Sequence, residues 1–200
     1  MADLLDLWDY RRQVHDMYRE VRLGGPGAQV REGWIEARDR LFATHSQSPI
    51  EDLDAFVGLP YFPYDPSWRK TGTLTASENS EATLDHSAEG TTRFVKIGEV
   101  GFEVSDRDAT LEVLWLDAYG GGIFIPFRDD TNGISTYGGG RYLLDTVKGA
   151  DLGHEGDEIV LDFNYAYHPS CVYSYRWSCP LAPPANRLPF PVEAGERLTP

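Results

Sequence analysis

The stretch Ile123–Arg141, IFIPFRDDTNGISTYGGGR, decides how this chain reads. Ile123, Ile125 and Phe127 alternate with Phe124, Pro126 and Arg128, the period of two expected of a strand. Asn132-Gly133 supplies two residues that tolerate a left-handed backbone, the usual centre of a tight hairpin turn. Beyond it come Thr136, Tyr137, the triple glycine Gly138–Gly140 and Arg141. Glycines there suit a bulge or a close backbone approach. The stretch therefore predicts a hairpin that gathers Asp129, Thr136, Tyr137 and Arg141 around one turn.

Strand signals extend outward in both directions. Candidates are 71–77, 81–86, 91–97, 99–105, 110–117, 122–129, 134–145 and 157–163, joined by short connectors rich in Gly, Asp, Asn and Ser. Such spacing without intervening helices predicts an antiparallel barrel or sandwich. A parallel sheet needs crossover helices, and none is readable. Upstream, Leu4, Leu7, Tyr10, Val14, Met17 and Val21 recur at helical spacing over residues 3–23. A second helix is expected from about 29 to 43, with Trp34, Ala37 and Leu41 on one stripe. The expected class is α+β, predominantly antiparallel β, in one domain. It comprises a helical hairpin (1–48), an aromatic and Pro-rich connector (49–69) and a β core (70–200) that ends in an extended Pro-rich tail.

The same stretch carries a resemblance. PFRDDTNGISTYGGGRYL, DFNYAYHPSC and CPLAPPANRLPFPVEAGE resemble a bacterial and archaeal family known only as a domain of unknown function. Its pattern runs PF-x-D-x-T-x-G-x-x-TY-x-x-GRYL, then DFN-x-AY-x-P-x-C and CPL-x-P-x-N. SPIEDLDAFVGLPYFPYDPSWR is similar to a further element upstream. His168 stands where the pattern more usually has Asn, and Val192 where it has Ile. The resemblance implies membership and no activity.

Composition narrows the function classes. The 200 residues, 41% apolar and 12% aromatic, can build a real core. There is no apolar run long enough to span a bilayer. The start, MADLLDLWDY, lacks a basic leader region, so the expected compartment is the cytoplasm and no membrane partner is expected. The net charge of −14 comes from 32 acidic against 18 basic residues, spread evenly along the chain. Only Lys70, Lys96 and Lys148 are lysines. This diffuse acidic coat resembles that of proteins from salt-loving archaea, in which salt screens self-repulsion. Nucleic acid is not an expected partner, because phosphate neutralisation needs clustered basic residues.

Several residues are candidates for chemistry. Arg141, after three glycines, can present its planar fork to a carboxylate or phosphate at a cavity mouth, or be spent on an internal pair with Asp129, Asp145 or Asp162. Asp162 and Asn164 share one face if the strand continues to Tyr167. Cys171 and Cys179 are the only thiols. They can be buried and free, disulfide-bonded, metal-bound or nucleophilic, with His168 three residues before Cys171 as the candidate base.

P-loop, zinc-protease, redox-dithiol and nucleophile-elbow motifs are absent. Asp130–Gly133 fails as a calcium loop, because Arg128 and Gly139 occupy its first and last ligand positions. No cofactor and no metal are expected. The expected function is binding of an anionic small molecule by Arg141, Tyr137, Asp129, Thr136 and Asn164. The alternatives are a hydrolase using Cys171 or Asp162 with His168, and an interaction module without a pocket. The residues give no expectation of oligomeric state.

Overall fold

The computed structural model describes residues 2–199. Helix α1 (Ala2–Gly24) and helix α2 (Ala28–Thr44) form the expected hairpin. Gly25, with φ of 72°, makes the turn between them, donating its amide to the Val21 carbonyl at 3.1 Å. Burial on α1 is graded. Tyr18 and Val21 are in the core, whereas Leu4 near the N-terminus is 72% exposed.

Seven antiparallel strands follow: β1 (Arg69–Asp85), β2 (Thr91–Val104), β3 (Arg107–Leu116), β4 (Ile123–Phe127), β5 (Arg141–Asp145), β6 (His154–Glu155) and β7 (Glu158–Asp162). They form one sheet in the order β5-β4-β3-β2-β1-β7-β6. The sheet has two ends and does not close into a barrel. The pairs expected at 71–77 and 81–86, and at 91–97 and 99–105, are each one long strand. Irregularities at Ala76/Ser80 in β1 and at Lys96/Gly98 in β2 explain why each reads as two.

The alternation in β4 is used on both faces. Ile125 and Phe127 enter the main core with Val100, Leu111, Leu143 and Phe163, which the helices cover through Tyr18 and Trp34. Phe124 turns to the opposite face and packs with Leu84, Phe94, Leu114 and Tyr142. Burying a side chain of this size is worth about 1.5–3 kcal/mol.

The segment after β4 departs from expectation. The strand expected at 134–145 is confined to Arg141–Asp145, and Asn132-Gly133 is not a two-residue hairpin. Side chains take over the backbone groups that a ladder would need. Asp129 Oδ1 accepts from the Thr131 amide at 2.8 Å, Asn132 Oδ1 accepts from the Asp129 amide at 2.6 Å, and Asn132 Nδ2 donates to the Tyr137 carbonyl at 2.7 Å. The Thr131 carbonyl accepts from Ile134, Ser135 and Thr136, so the chain coils before β5 begins.

The Pro-rich tail straps the molecule in extended form. Arg128 donates to the Asn186 carbonyl and Leu188 to the Arg128 carbonyl, both at 2.8 Å. Phe62 donates to the Gly195 carbonyl at 2.9 Å and Glu196 to the Ala166 carbonyl at 2.8 Å. Gly195 has φ of 75°, and a Cβ there would lie 2.5 Å from the Ala166 carbonyl oxygen. Only glycine carries the strap through this point.

Candidate functional site

Arg141 does not reach a cavity mouth. Its side chain is fully buried, with Nη2 donating to Asp129 Oδ2 at 2.9 Å and to the Val192 carbonyl at 2.8 Å. Nη1 donates to the carbonyls of Ala194 and Glu196. Desolvation by burial lowers its pKa and Asp129 opposes that shift. Asp129 Oδ1 also accepts from Thr131 Oγ1 and from the Val192 amide. Thr131 Oγ1 lies 2.8 Å from Thr136 Oγ1, so Thr136 joins the same network. The fork of Arg141 thus ties the strap to the sheet, the internal role that the residues also allowed.

Asn164 is likewise consumed. Residues Phe163–Tyr165 form a 3-10 turn rather than a continued strand, so the shared face expected of Asp162 and Asn164 does not exist. Asn164 Nδ2 donates to Asp162 Oδ1 and to the Asp65 carbonyl, and its Oδ1 accepts from the Asp65 amide. Asp162 borders a smaller cavity of about 220 Å³ with Arg22, Arg69, His154 and Tyr165. Burial raises its pKa, against the lowering pull of its bonds from Asn164.

His168 has one ring nitrogen hydrogen-bonded and the other facing Glu196. Nε2 accepts from the Tyr137 amide at 3.2 Å, which places the proton on Nδ1, 3.5 Å from Glu196 Oε1. No hydrogen bond joins His168 to Cys171 or Asp162 among the described residues. The thiol nearest this loop contacts Tyr137 instead, with Cys171 Sγ 4.0 Å from the Tyr137 hydroxyl. Burial pushes that hydroxyl up to about 12.

A larger cavity lies elsewhere. About 330 Å³ in volume, it runs between the helical hairpin and the loops that follow Tyr167 and Trp177. Helix α1 contributes Tyr10, Val14 and Tyr18, and helix α2 contributes Leu41 and Phe42. The cationic side chains on its wall are Arg11, Arg38 and Lys148, His168 also lines it, and no Asp or Glu among the described residues does. Arg38 is buried against its own apolar helix stripe, 4.7 Å above the Phe42 ring and 5.4 Å from that of Tyr167. Its Nη1 serves both Glu196 Oε2 at 2.8 Å and the Tyr61 hydroxyl at 2.7 Å. Desolvation opposes the charge of Arg38, and the field of Glu196 overcomes it, holding the group above its ordinary value. Burial likewise pushes Glu196 up, and Arg38 and His168 more than offset this, leaving its carboxyl below the usual range.

Two residues of this wall each carry a buried polar atom with no partner among the described residues: the Tyr18 hydroxyl and Trp177 Nε1. The indole can only donate. Lys148 is held by Asp145 at 3.2 Å but is largely exposed. One signal for this site was present in the sequence. Arg31, Trp34, Arg38 and Leu41 fall at spacings of three and four, so two arginines stand on the buried stripe of α2.

Comparison with known proteins places the chain. No curated protein matches it. The solution structure of an uncharacterised protein from the archaeon Haloarcula marismortui is similar, with 39% identity and a TM-score of 0.61 over 84% of this chain and 91% of that one. Residues 54–197 match the family model described as a protein of unknown function, DUF1684. The matched span holds the sheet and the strap, and the chain belongs to this family.

Proposed function

We propose that this protein binds a small anion with an apolar body, in the cavity between the helical hairpin and the loops after Tyr167 and Trp177. One observation carries the reading. A chain with 32 acidic and 18 basic residues lines this mainly apolar cavity with Arg11, Arg38 and Lys148 and, among the described residues, with no Asp or Glu. Apolar walls from Val14, Leu41 and Phe42 suit the body of such a ligand, and a few convergent polar groups suit its head. The anion expected from the sequence is kept, and its place moves from the Arg141 loop to the helix-covered cavity. A hydrolase built on Cys171 and His168 gains no support, because no hydrogen bond joins the two among the described residues and His168 Nε2 is taken by the Tyr137 amide.

Calorimetric titration with octanoate and with 1-octanol tests this. Octanoate is expected to bind and octanol to bind at least about tenfold more weakly. The variant Arg11→Ala/Lys148→Ala, at two exposed positions, is expected to weaken octanoate by a similar factor. Equal affinity for acid and alcohol, or an unaffected double variant, would contradict the anion reading.

A further inference from the structure

Helix α1 spends only one of its faces on the rest of the chain. Tyr10, Val14 and Tyr18 line the large cavity, and Tyr18 and Val21 enter the core. On the opposite face Leu5, Trp8, Arg12, Asp16, Arg19 and Leu23 follow one another at spacings of three and four, which sets them in one stripe. All six are exposed. The apolar members Leu5, Trp8 and Leu23 are 60%, 64% and 67% exposed. Large apolar side chains left in water along one row mark an association surface, whereas single ones scattered over a protein need no explanation.

The order of residues along the stripe is self-complementary. Turned end over end about a point near residue 14, it lays Leu5 on Leu23, Trp8 on Arg19 and Arg12 on Asp16. We propose that this face of α1 pairs antiparallel with the same face of a second copy of the chain, forming a two-fold symmetric dimer. The symmetry makes each of the three contacts twice. The leucines close the two ends and leave water together. Arg12 stands 5.7 Å from the centre of the Trp8 ring within one copy, and the other side of the indole takes Arg19 of the second copy. Arg12 binds Asp9 at 2.6 Å, and a guanidinium with five N–H donors has others to give Asp16 of the second copy.

Charge selects a copy of this chain as the occupant. Helix α1 carries five acidic and four basic residues, so it is nearly neutral on a chain of net charge −14. It is therefore a face on which two such chains can approach without full repulsion. Antiparallel pairing sets the charged stripe residues against an opposite charge or an aromatic face, which fixes register as well as partner. A single pair of helices lies at the small end of specific interfaces, below about 1,200 Å², so the dimer is weak and forms at high protein concentration. The inference is independent of the anion reading, since the cavity takes the other face of the helix.

Sedimentation equilibrium of the full chain in molar KCl, which screens the repulsion between two acidic coats, tests the dimer. Wild type is expected to pass from one to two chain masses as its concentration rises. Trp8→Glu and, separately, Arg19→Glu, both at exposed positions and checked for folding by circular dichroism, are expected to weaken the association at least about tenfold. Disulfide cross-linking reads the register. Leu5→Cys mixed with Leu23→Cys is expected to give a linked peptide between positions 5 and 23. Neither variant alone is expected to link to itself, because like positions stand roughly 27 Å apart along an antiparallel pair. A wild type that stays monomeric, including one that binds lipid vesicles instead, would overturn the proposal. So would a dimer untouched by both substitutions, or one in which Leu5→Cys links to itself.

Discussion

Arg38 Nη1 lies 2.8 Å from Glu196 Oε2, with both side chains almost wholly buried. This pair joins helix α2 to the C-terminal strap, and through Glu196 it also reaches His168, whose amide donates to Oε2 at 2.9 Å. A buried pair of this kind adds little net stability relative to apolar residues, but removing one partner strands a charge. Glu196→Gln or Arg38→Met alone is expected to cost about 3–5 kcal/mol in urea unfolding. The double variant Arg38→Met/Glu196→Leu is expected to recover much of that loss. A double variant as unstable as the sum of the singles would show that the two residues do not act as a pair.

The same carboxyl makes stability depend on pH with a defined sign. Its pKa is lower in the folded chain than in the unfolded one. The stability it contributes is therefore fully present above the unfolded value and is lost as pH falls through the folded one. Between about pH 5 and pH 3 the wild type should lose stability more steeply than Glu196→Gln. Asp162 acts in the opposite sense, because burial raises its folded pKa and acid relieves its cost. Parallel stability curves for wild type and Glu196→Gln would contradict the depressed carboxyl.

Arg141 separates stability from binding. Its four internal bonds predict that Arg141→Met destabilises by about 3–5 kcal/mol, read from urea midpoints. Folded Arg141→Met is expected to keep the octanoate affinity of the wild type. A selective loss of octanoate binding, with stability unchanged, would return the ligand to the Arg141 loop.

The acidic coat predicts a response to salt. With a net charge of −14, self-repulsion loosens the fold at low ionic strength, and salt screens it. The melting temperature is expected to rise from low to molar KCl. A flat or falling response would mean that the coat answers to a charged partner instead.

The parts of the fold that were legible in the sequence rest on local periodicity. Spacings of three and four delimited both helices to within a residue or two, alternation placed β4, and strand-forming runs between short polar connectors located β3 and β7. The segment from Arg128 to Gly140 misled because Asn132-Gly133 suits several turns, and only the bonds of Asp129 and Asn132 choose among them. The role of Arg141 was not legible for a different reason. Its acceptors at Val192, Ala194 and Glu196 are about fifty residues away, and no local pattern encodes such a meeting. His168 illustrates the same limit, since proximity to Cys171 in sequence did not bring their functional atoms together. The cavity was half visible, in the arginines on the apolar stripe of α2, whose significance depends on what covers that stripe.

The Trp177 indole tests the central claim most directly. Trp177 lines the large cavity, its Nε1–H has no partner among the described residues, and its nitrogen-15 resonance reports a change at this wall. Titrating octanoate into labelled protein is predicted to move this resonance downfield to saturation, together with the backbone signals of Tyr18 and Lys148, while 1-octanol leaves the indole hydrogen bond unformed. An indole resonance that does not respond to octanoate, with shifts confined to the loop from Asp129 to Arg141, would contradict an anion site in this cavity.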